Sequence, residues 1–164
     1  MIAAPIPSVP TLGVAEARCV IGDFHASVIV TAVGLKDRQG RLRVEVYPAD
    51  PADFLADDNL LVAAGKTFRR AEIQIPQNGP AQVCVRLPGS GTYTMAVIHD
   101  RDSNRKFGAL YDGIGFPGDP RLDWSKPTAA AASFVASSGV TSIRVTLNYR
   151  RGLASFGPIK GLRP

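Results

Sequence analysis

The sequence is poor in the residues that several kinds of functional site require. Its 164 residues include two histidines, two cysteines and no Cys-x-x-Cys pair, so the sequence offers few ligands for a Cys/His zinc site. No run of about 18 apolar residues is present, and the sequence therefore shows no transmembrane segment. No serine stands in a Gly-x-Ser-x-Gly element, which excludes the nucleophile elbow of α/β hydrolases.

Acidic residues are missing from the C-terminal quarter of the chain. From Trp124 onward there is no Asp or Glu, whereas six Lys and Arg are present and four of them follow Tyr149. The formal net charge of +5 therefore arises in this part, and residues 1–123 are nearly neutral. A nearly neutral body with a basic, solvated tail argues against a nucleic-acid-binding domain, and no nucleic-acid partner is expected.

Turn-forming residues are abundant, with 16 Gly and 13 Pro, and they leave little room for long helices. Between them, apolar and β-branched residues recur at every second position, which is typical of strands with one buried face. The segments with this pattern are residues 26–34, 41–47, 71–75, 83–87, 92–99, 131–136 and 143–149. They predict an all-β fold, an antiparallel β-sandwich of about seven strands.

Two local patterns predict how the first part of the sandwich is connected. The polar, glycine-containing segment 36–40 predicts a turn that joins strands 26–34 and 41–47 in a hairpin. Asp50 precedes a proline in the position of a helix cap, which predicts one short helical turn over residues 51–56.

A glycine-rich string at residues 113–118 matches the G-x-G-x-x-G pattern of dinucleotide-binding folds. Pro117 and Pro120 exclude the helix that must follow such a string, and no acidic residue follows Asp123. The string therefore predicts a loop rather than a nucleotide site.

Composition divides the chain into a flexible N-terminal lead-in over residues 1–18, a sandwich domain over 19–149 and a basic tail over 150–164. The lead-in has several prolines and neither a basic start nor an unbroken apolar run, so it contains no intact signal peptide. Residues 15–17 read Ala-Glu-Ala, a pattern that a signal peptidase recognises. This pattern is expected if the numbered start lies inside a longer precursor.

The two cysteines, Cys19 and Cys84, lie 65 positions apart. In an oxidising compartment they could form a disulfide that stabilises the fold by roughly 4 kcal/mol. In a reducing compartment they would remain two free thiols at unrelated places. Their spacing alone leaves both alternatives open.

The densest polar cluster follows the strand that ends at residue 99. Asp100, Asp102 and Asn104 alternate as in the first half of a calcium loop, and Asp112 could complete a metal site by a different backbone path. Arg105 stands where the calcium loop needs glycine, and the segment's three basic residues repel a cation. The sequence favours a structural turn rich in Asp and Asn. A calcium-binding site is the alternative, and no other cofactor is predicted.

The loops over residues 99–124 are the predicted contact surface. His99, Tyr111, Phe116 and Trp124 would supply polar and aromatic area for a glycan or peptide, although the aromatics could instead plug the core. His99 and Asp100 point to opposite faces of a strand and do not form a catalytic dyad. The prediction is a non-enzymatic binding or interaction module, with a hydrolase using His99 or a loop carboxylate as the alternative.

Residues 91–100 read Gly-Thr-Tyr-Thr-Met-Ala-Val-Ile-His-Asp and are followed by the Asp/Asn-rich segment and by Gly115-Phe116-Pro117. Together with the closing segment 143–149, they resemble the bacterial domain-of-unknown-function family 2141. That family consists of small exported proteins with a G-x-Y-A-hydrophobic-H-D-x-N-x-N signature. The resemblance runs from about residue 26 to residue 149.

The resemblance implies an immunoglobulin-like or transthyretin-like sandwich in the periplasm or outside the cell. The expected partner of the predicted binding module is an envelope glycan, peptide or protein. It also implies a disulfide between Cys19 and Cys84. No activity is established for the family, so no catalytic residue is transferred. Asp102 and Arg105 replace the usual Asn and Gly, and the acidic residue expected near Phe107 is missing, which weakens a metal-binding role.

Overall fold

The computed structural model describes residues 4–122, 125–152 and 155–159. Almost all of its regular structure is β-strand, with two short helices in the described residues. In chain order the elements are α1 (Val14–Ala17), β1 (Ser27–Val33), β2 (Arg41–Pro48), α2 (Asp58–Ala63), β3 (Arg69–Gln74), β4 (Ala81–Arg86), β5 (Gly91–Asp100), β6 (Gly113–Gly115), β7 (Ser133–Ala136), β8 (Val140–Thr146), β9 (Tyr149–Arg151) and β10 (Ser155–Gly157).

The strands form two packed sheets and a small hairpin. The first sheet has the order β4-β1-β8, and the second has the order β3-β2-β5-β6. Strand β7 pairs with the beginning of β5, whereas β6 pairs with the end of β5. Strands β9 and β10 pair with each other. The prediction of an all-β sandwich is confirmed, with one exception to its antiparallel character, since β1 and β8 run parallel.

The predicted hairpin between the first two strands is wrong. Strand β1 pairs with β4 and β8, whereas β2 pairs with β3 and β5 in the other sheet. Val30 of β1 and Val44 of β2 are both fully buried in one core cluster. Each strand needs to bury one apolar face, and the two strands do so by packing on the same core from different sheets.

Alternation along the strands produces two apolar clusters. The first, which includes Val28, Leu42, Val44, Met95 and Val97, contains residues of both sheets. The second lies on the opposite face of the β3-β2-β5-β6 sheet, where alternate residues of β2 and β5 meet the loops before α2 and after β6. Its members are Tyr47, Phe54, Leu61, Phe68, Ala96, Phe116, Leu122, Ala129 and Ala132. Burial of each large side chain contributes about 1.5–3 kcal/mol, so both faces of this sheet stabilise the fold.

The short helix predicted over residues 51–56 is replaced by a non-helical turn, and α2 begins only at Asp58. Asp50 does act as a cap, because its Oδ1 accepts a hydrogen bond from the Ala52 amide at 2.8 Å. Leu55 has φ 60°, in the left-handed region, and a helix cannot continue through it.

The segment predicted as an N-terminal lead-in contacts the second sheet over its described part. Ala17 of α1 is buried in the first cluster. Arg70 of β3 donates hydrogen bonds to the carbonyl oxygens of Val9 and Pro10 at 3.1 and 3.3 Å. At the other terminus, β10 lies within the predicted basic tail.

The glycine string predicted as a loop contains strand β6. A Cβ atom at Gly113 would lie 2.4 Å from Cε1 of Tyr149, and one at Gly115 would lie 2.6 Å from the Thr146 carbonyl oxygen. These glycines let β6 approach its neighbours closely. Within the described residues, neither helix has the length and hydropathy needed to cross a membrane.

Candidate functional site

Cys19 and Cys84 form a disulfide bond with a Cα–Cα distance of 6.1 Å. Cys19 lies between α1 and β1, and Cys84 lies on β4. The bond therefore ties the N-terminal segment to the first sheet. The pairing implied by the family resemblance is present.

His99 was predicted to lie on the contact surface, and its position corrects that expectation. Its side chain is fully buried near the end of β5. The Tyr149 hydroxyl lies 2.6 Å from His99 Nδ1, and the Gln39 carbonyl oxygen lies 2.8 Å from Nε2. The inward position follows from the alternation of β5, because Met95, Val97 and His99 share one face of the strand.

The hydrogen bonds of His99 define its neutral tautomer. The Gln39 carbonyl can only accept, so Nε2 carries the proton and Nδ1 accepts from the Tyr149 hydroxyl. That hydroxyl in turn accepts from the Lys36 amide at 3.1 Å. Burial lowers the pKa of His99 and therefore favours this neutral form. An imidazole with both nitrogens engaged and no exposed surface is a structural group, and its geometry gives no support to a hydrolase.

The Asp-rich segment forms a turn in which carboxylates accept hydrogen bonds from backbone amides. Asp100 is fully buried and accepts from the amides of Asn104 at 3.2 Å and Arg105 at 2.8 Å. Asp112 is also buried and accepts from the amides of Arg101 at 2.9 Å and Gly108 at 2.8 Å. These bonds hold the loop against the ends of β5 and β6.

Three of the four predicted metal ligands come together in this turn. Asp100, Asp102 and Asp112 each offer a carboxylate oxygen within 4.8 Å of the other two. The side-chain oxygen of Asn104 accepts from the Lys106 amide at 2.8 Å. Burial raises the pKa of Asp100, and hydrogen bonding to Asp102 adds to the shift. The arrangement matches the predicted Asx-rich turn, and a cation would have to compete with the amides that the carboxylates already bind.

The three predicted aromatic contact residues have different environments. Tyr111 is exposed, and the Arg101 guanidinium lies 4.1 Å from its ring centroid. Phe116 is buried in the second cluster, and its ring centroid lies 5.9 Å from that of Phe54 in an edge-to-face arrangement. It therefore packs in the core, which was the alternative to a contact role. Trp124 lies outside the described residues.

An apolar groove of about 280 Å³ opens beside Phe116. It lies between β6, the loops on either side of that strand, and β10. Of the lining residues that the structure describes, Ser125 and Lys126 are polar, and the others are apolar: Leu55, Phe107, Ala109, Ile114, Phe116, Leu122, Pro127 and Phe156. Phe107 is 39% exposed, and its ring centroid lies 6.3 Å from that of Phe156. The groove presents aromatic and aliphatic surface, and Lys126 is the one cation among the lining residues within the described ranges.

Residues of the predicted contact loops line part of the groove, but among the described lining residues Phe116 is the only one predicted from the sequence. An aromatic residue within a polar segment is a signal that could have found Phe107, which the structure shows to be exposed. Leu55 and Phe156 are far from Phe107 in sequence. They line the same groove because both pack against the second cluster.

The fold and the groove define a disulfide-linked, all-β protein of sandwich architecture. The model of a bacterial family, described as an uncharacterized protein conserved in bacteria (DUF2141), matches residues 30–144. This match covers more than half of the chain, which therefore belongs to that family. Searches among curated proteins and solved structures find no match to this chain.

Proposed function

We propose that this protein is an exported, non-enzymatic binding module of the cell envelope that takes the apolar part of a small amphipathic anion into its groove. The groove lined by Phe107, Ile114, Phe116 and Phe156 is the observation that carries the proposal. Its volume of about 280 Å³ suits a short acyl chain or a single aromatic ring system, since ligand pockets begin at about 300 Å³.

The chemistry of the lining favours one class of ligand over the glycan expected from the sequence. A sugar needs hydrogen-bonding partners for its hydroxyl groups, and among the described residues that line the groove only Ser125 and Lys126 have polar side chains. An apolar chain gains from the aromatic walls, and a carboxylate at its end would pair with the exposed Lys126 ammonium. A short-chain fatty carboxylate has both properties.

An extracytoplasmic location is part of the proposal. The Cys19–Cys84 disulfide supports it, because disulfides persist in oxidising compartments such as the periplasm and are rare in the cytosol. The family resemblance points to the same compartment.

Calorimetric titration with octanoate, and with octanol as its uncharged analogue, tests the groove. Phe107→Ala should weaken the binding of both compounds about tenfold, because one aromatic wall is lost. Lys126→Gln should weaken octanoate alone by about two- to fivefold, which corresponds to the 0.5–1 kcal/mol of an exposed ion pair. Phe24→Ala is the matched control, since Phe24 is 95% exposed and does not line the groove. Equal binding by the Phe107 and Phe24 variants would refute the proposal.

Calcium binding is a second candidate function, favoured by the approach of three carboxylates within 4.8 Å. It is less well supported than the groove. Both buried carboxylates already accept two amide hydrogen bonds each. Arg101, Arg105 and Lys106 bring positive charge into the same segment.

A further inference from the structure

A second cleft, of about 330 Å³, lies on the other side of the loop that carries Phe107. Its walls come from four parts of the chain: the N-terminal segment at residues 8–10, strands β2 and β3, Asp58 at the start of α2, and residues 104–106. Lys106 lines this cleft, and the next residue, Phe107, lines the apolar groove. The cleft shares no lining residue with the groove, so it is an independent feature.

Cations outnumber available carboxylates in this cleft. Of the lining acids, Asp58 binds Arg70 at 2.9 Å, and Glu72 binds Arg41 at 2.7 Å. Arg70 is also satisfied by Glu45 at 2.7 Å. The remaining lining cations are Arg43, Arg105 and Lys106, and the positive charge of the cleft comes from these three.

Two of these three cations have weak carboxylate contacts, and one has none among the residues that the structure describes. Arg105 Nε lies 3.7 Å from Glu72 Oε1, beyond hydrogen-bonding distance. Arg43 Nε lies 3.5 Å from Glu45 Oε1. Within the described chain, Lys106 forms no ion pair with a carboxylate.

Arg43 is a buried cation with an incomplete set of partners. Only 7% of the residue is exposed, and its Nη1 donates to the Arg105 carbonyl oxygen at 2.7 Å. Its Nε is buried and has no hydrogen-bond acceptor in the described residues. Burying a guanidinium without full pairing is unfavourable, and an anion in the cleft would add to the charge compensation that Glu45 provides at 3.5 Å.

The backbone of Arg105 is held in place by two hydrogen bonds. Arg105 has φ 64°, in the left-handed region that glycine adopts without strain. Its amide donates to Asp100 Oδ2 at 2.8 Å, and its carbonyl accepts from Arg43. These two bonds fix the residue at the mouth of the cleft despite the strained conformation.

We propose that the cleft formed by Arg43, Arg105 and Lys106 binds a phosphate-type anion, either free or as the phosphate group of a larger molecule. Guanidinium groups match the tetrahedral oxygens of phosphate through paired N–H donors, and Lys106 adds a mobile ammonium. This site is independent of the apolar groove, and either can fail without the other.

The test is titration of the intact protein with glycerol phosphate at low ionic strength, followed by calorimetry and by backbone amide NMR shifts. Saturable binding with shifts at residues 104–106 is expected. Arg105→Ala and Lys106→Ala should each weaken it about tenfold, because each removes a charge-assisted contact. Arg18→Ala, which removes an exposed cation that does not line the cleft, should leave it unchanged.

Arg105→Gly separates binding from folding. It keeps the left-handed backbone and removes the cation, so it should lose affinity about tenfold while its Tm stays the same or rises. A second titration with vesicles of phosphatidylglycerol in phosphatidylcholine identifies the source of the phosphate. Binding of either probe that is lost in Arg105→Gly supports the proposal, and the probe that binds shows whether the phosphate is soluble or part of a membrane. Binding of neither probe, or equal binding by Arg105→Gly and Arg18→Ala, would overturn it.

Discussion

Reduction of the Cys19–Cys84 disulfide should lower the free energy of unfolding by about 4 kcal/mol. The bond joins residues 65 positions apart, and in the loop-closure model the effect of a cross-link grows with the length of the loop. Domains of ordinary size are stable by about 5–15 kcal/mol, so the bond supplies a large fraction of the total. Urea unfolding followed by circular dichroism, with and without a reductant, measures the change.

The denaturant slope provides a second readout of the same effect. The reduced unfolded chain exposes more surface, so the slope should increase on reduction. The double variant Cys19→Ser/Cys84→Ser is the control, because it should respond to urea in the same way with and without reductant. A loss of less than about 1 kcal/mol on reduction would refute the loop-closure reasoning for this bond.

Three further predictions concern the buried network, the close approach of β6 and the Asp-rich turn. Burial lowers the pKa of His99, so the imidazole of the unfolded chain takes up a proton at a higher pH than that of the folded protein. The free energy of unfolding should therefore fall as the pH drops below about 6.5. A urea midpoint that does not change over this range would contradict the prediction. Gly113→Ala places a Cβ 2.4 Å from Tyr149 and should cost about 1–3 kcal/mol in urea unfolding, whereas Gly139→Ala, with open space around it, should not destabilise. Calcium or a chelator should leave the Tm unchanged, because the carboxylates of Asp100 and Asp112 already accept hydrogen bonds from backbone amides. A rise in Tm with calcium that is lost in Asp102→Ala would show instead that the turn is a metal site.

The sequence predicted the strands well because their periodicity is local. Alternation at Leu42, Val44 and Val46 is imposed by burial of one strand face, and it locates β2 without knowledge of its partners. Pairing was predicted less well, because the partners of β1 are β4 and β8, far along the chain. A turn between two strands does not distinguish a hairpin from a crossing between packed sheets.

The sequence indicated which loops lie near the candidate site, but it did not indicate most of the residues that line the groove. The Asp-rich segment forms the turn that its composition indicated, since Asx side chains bind nearby amides. The hydrogen bond that satisfies Nδ1 of the buried His99 comes from Tyr149, which is 50 positions away and belongs to another strand. The apolar groove likewise needs Phe107 and Phe156 to meet, and no local pattern in the sequence encodes that contact.

The proposed function requires that the groove beside Phe116 binds the apolar part of a small amphipathic anion. Intermolecular nuclear Overhauser effects between octanoate and the isotope-labelled protein test it most directly. We expect contacts from the octanoate chain to the rings of Phe107 and Phe156 and to the side chain of Ile114, which line one groove. Contacts to exposed apolar residues such as Phe24 or Leu110 alone, or no contacts at all, would contradict it.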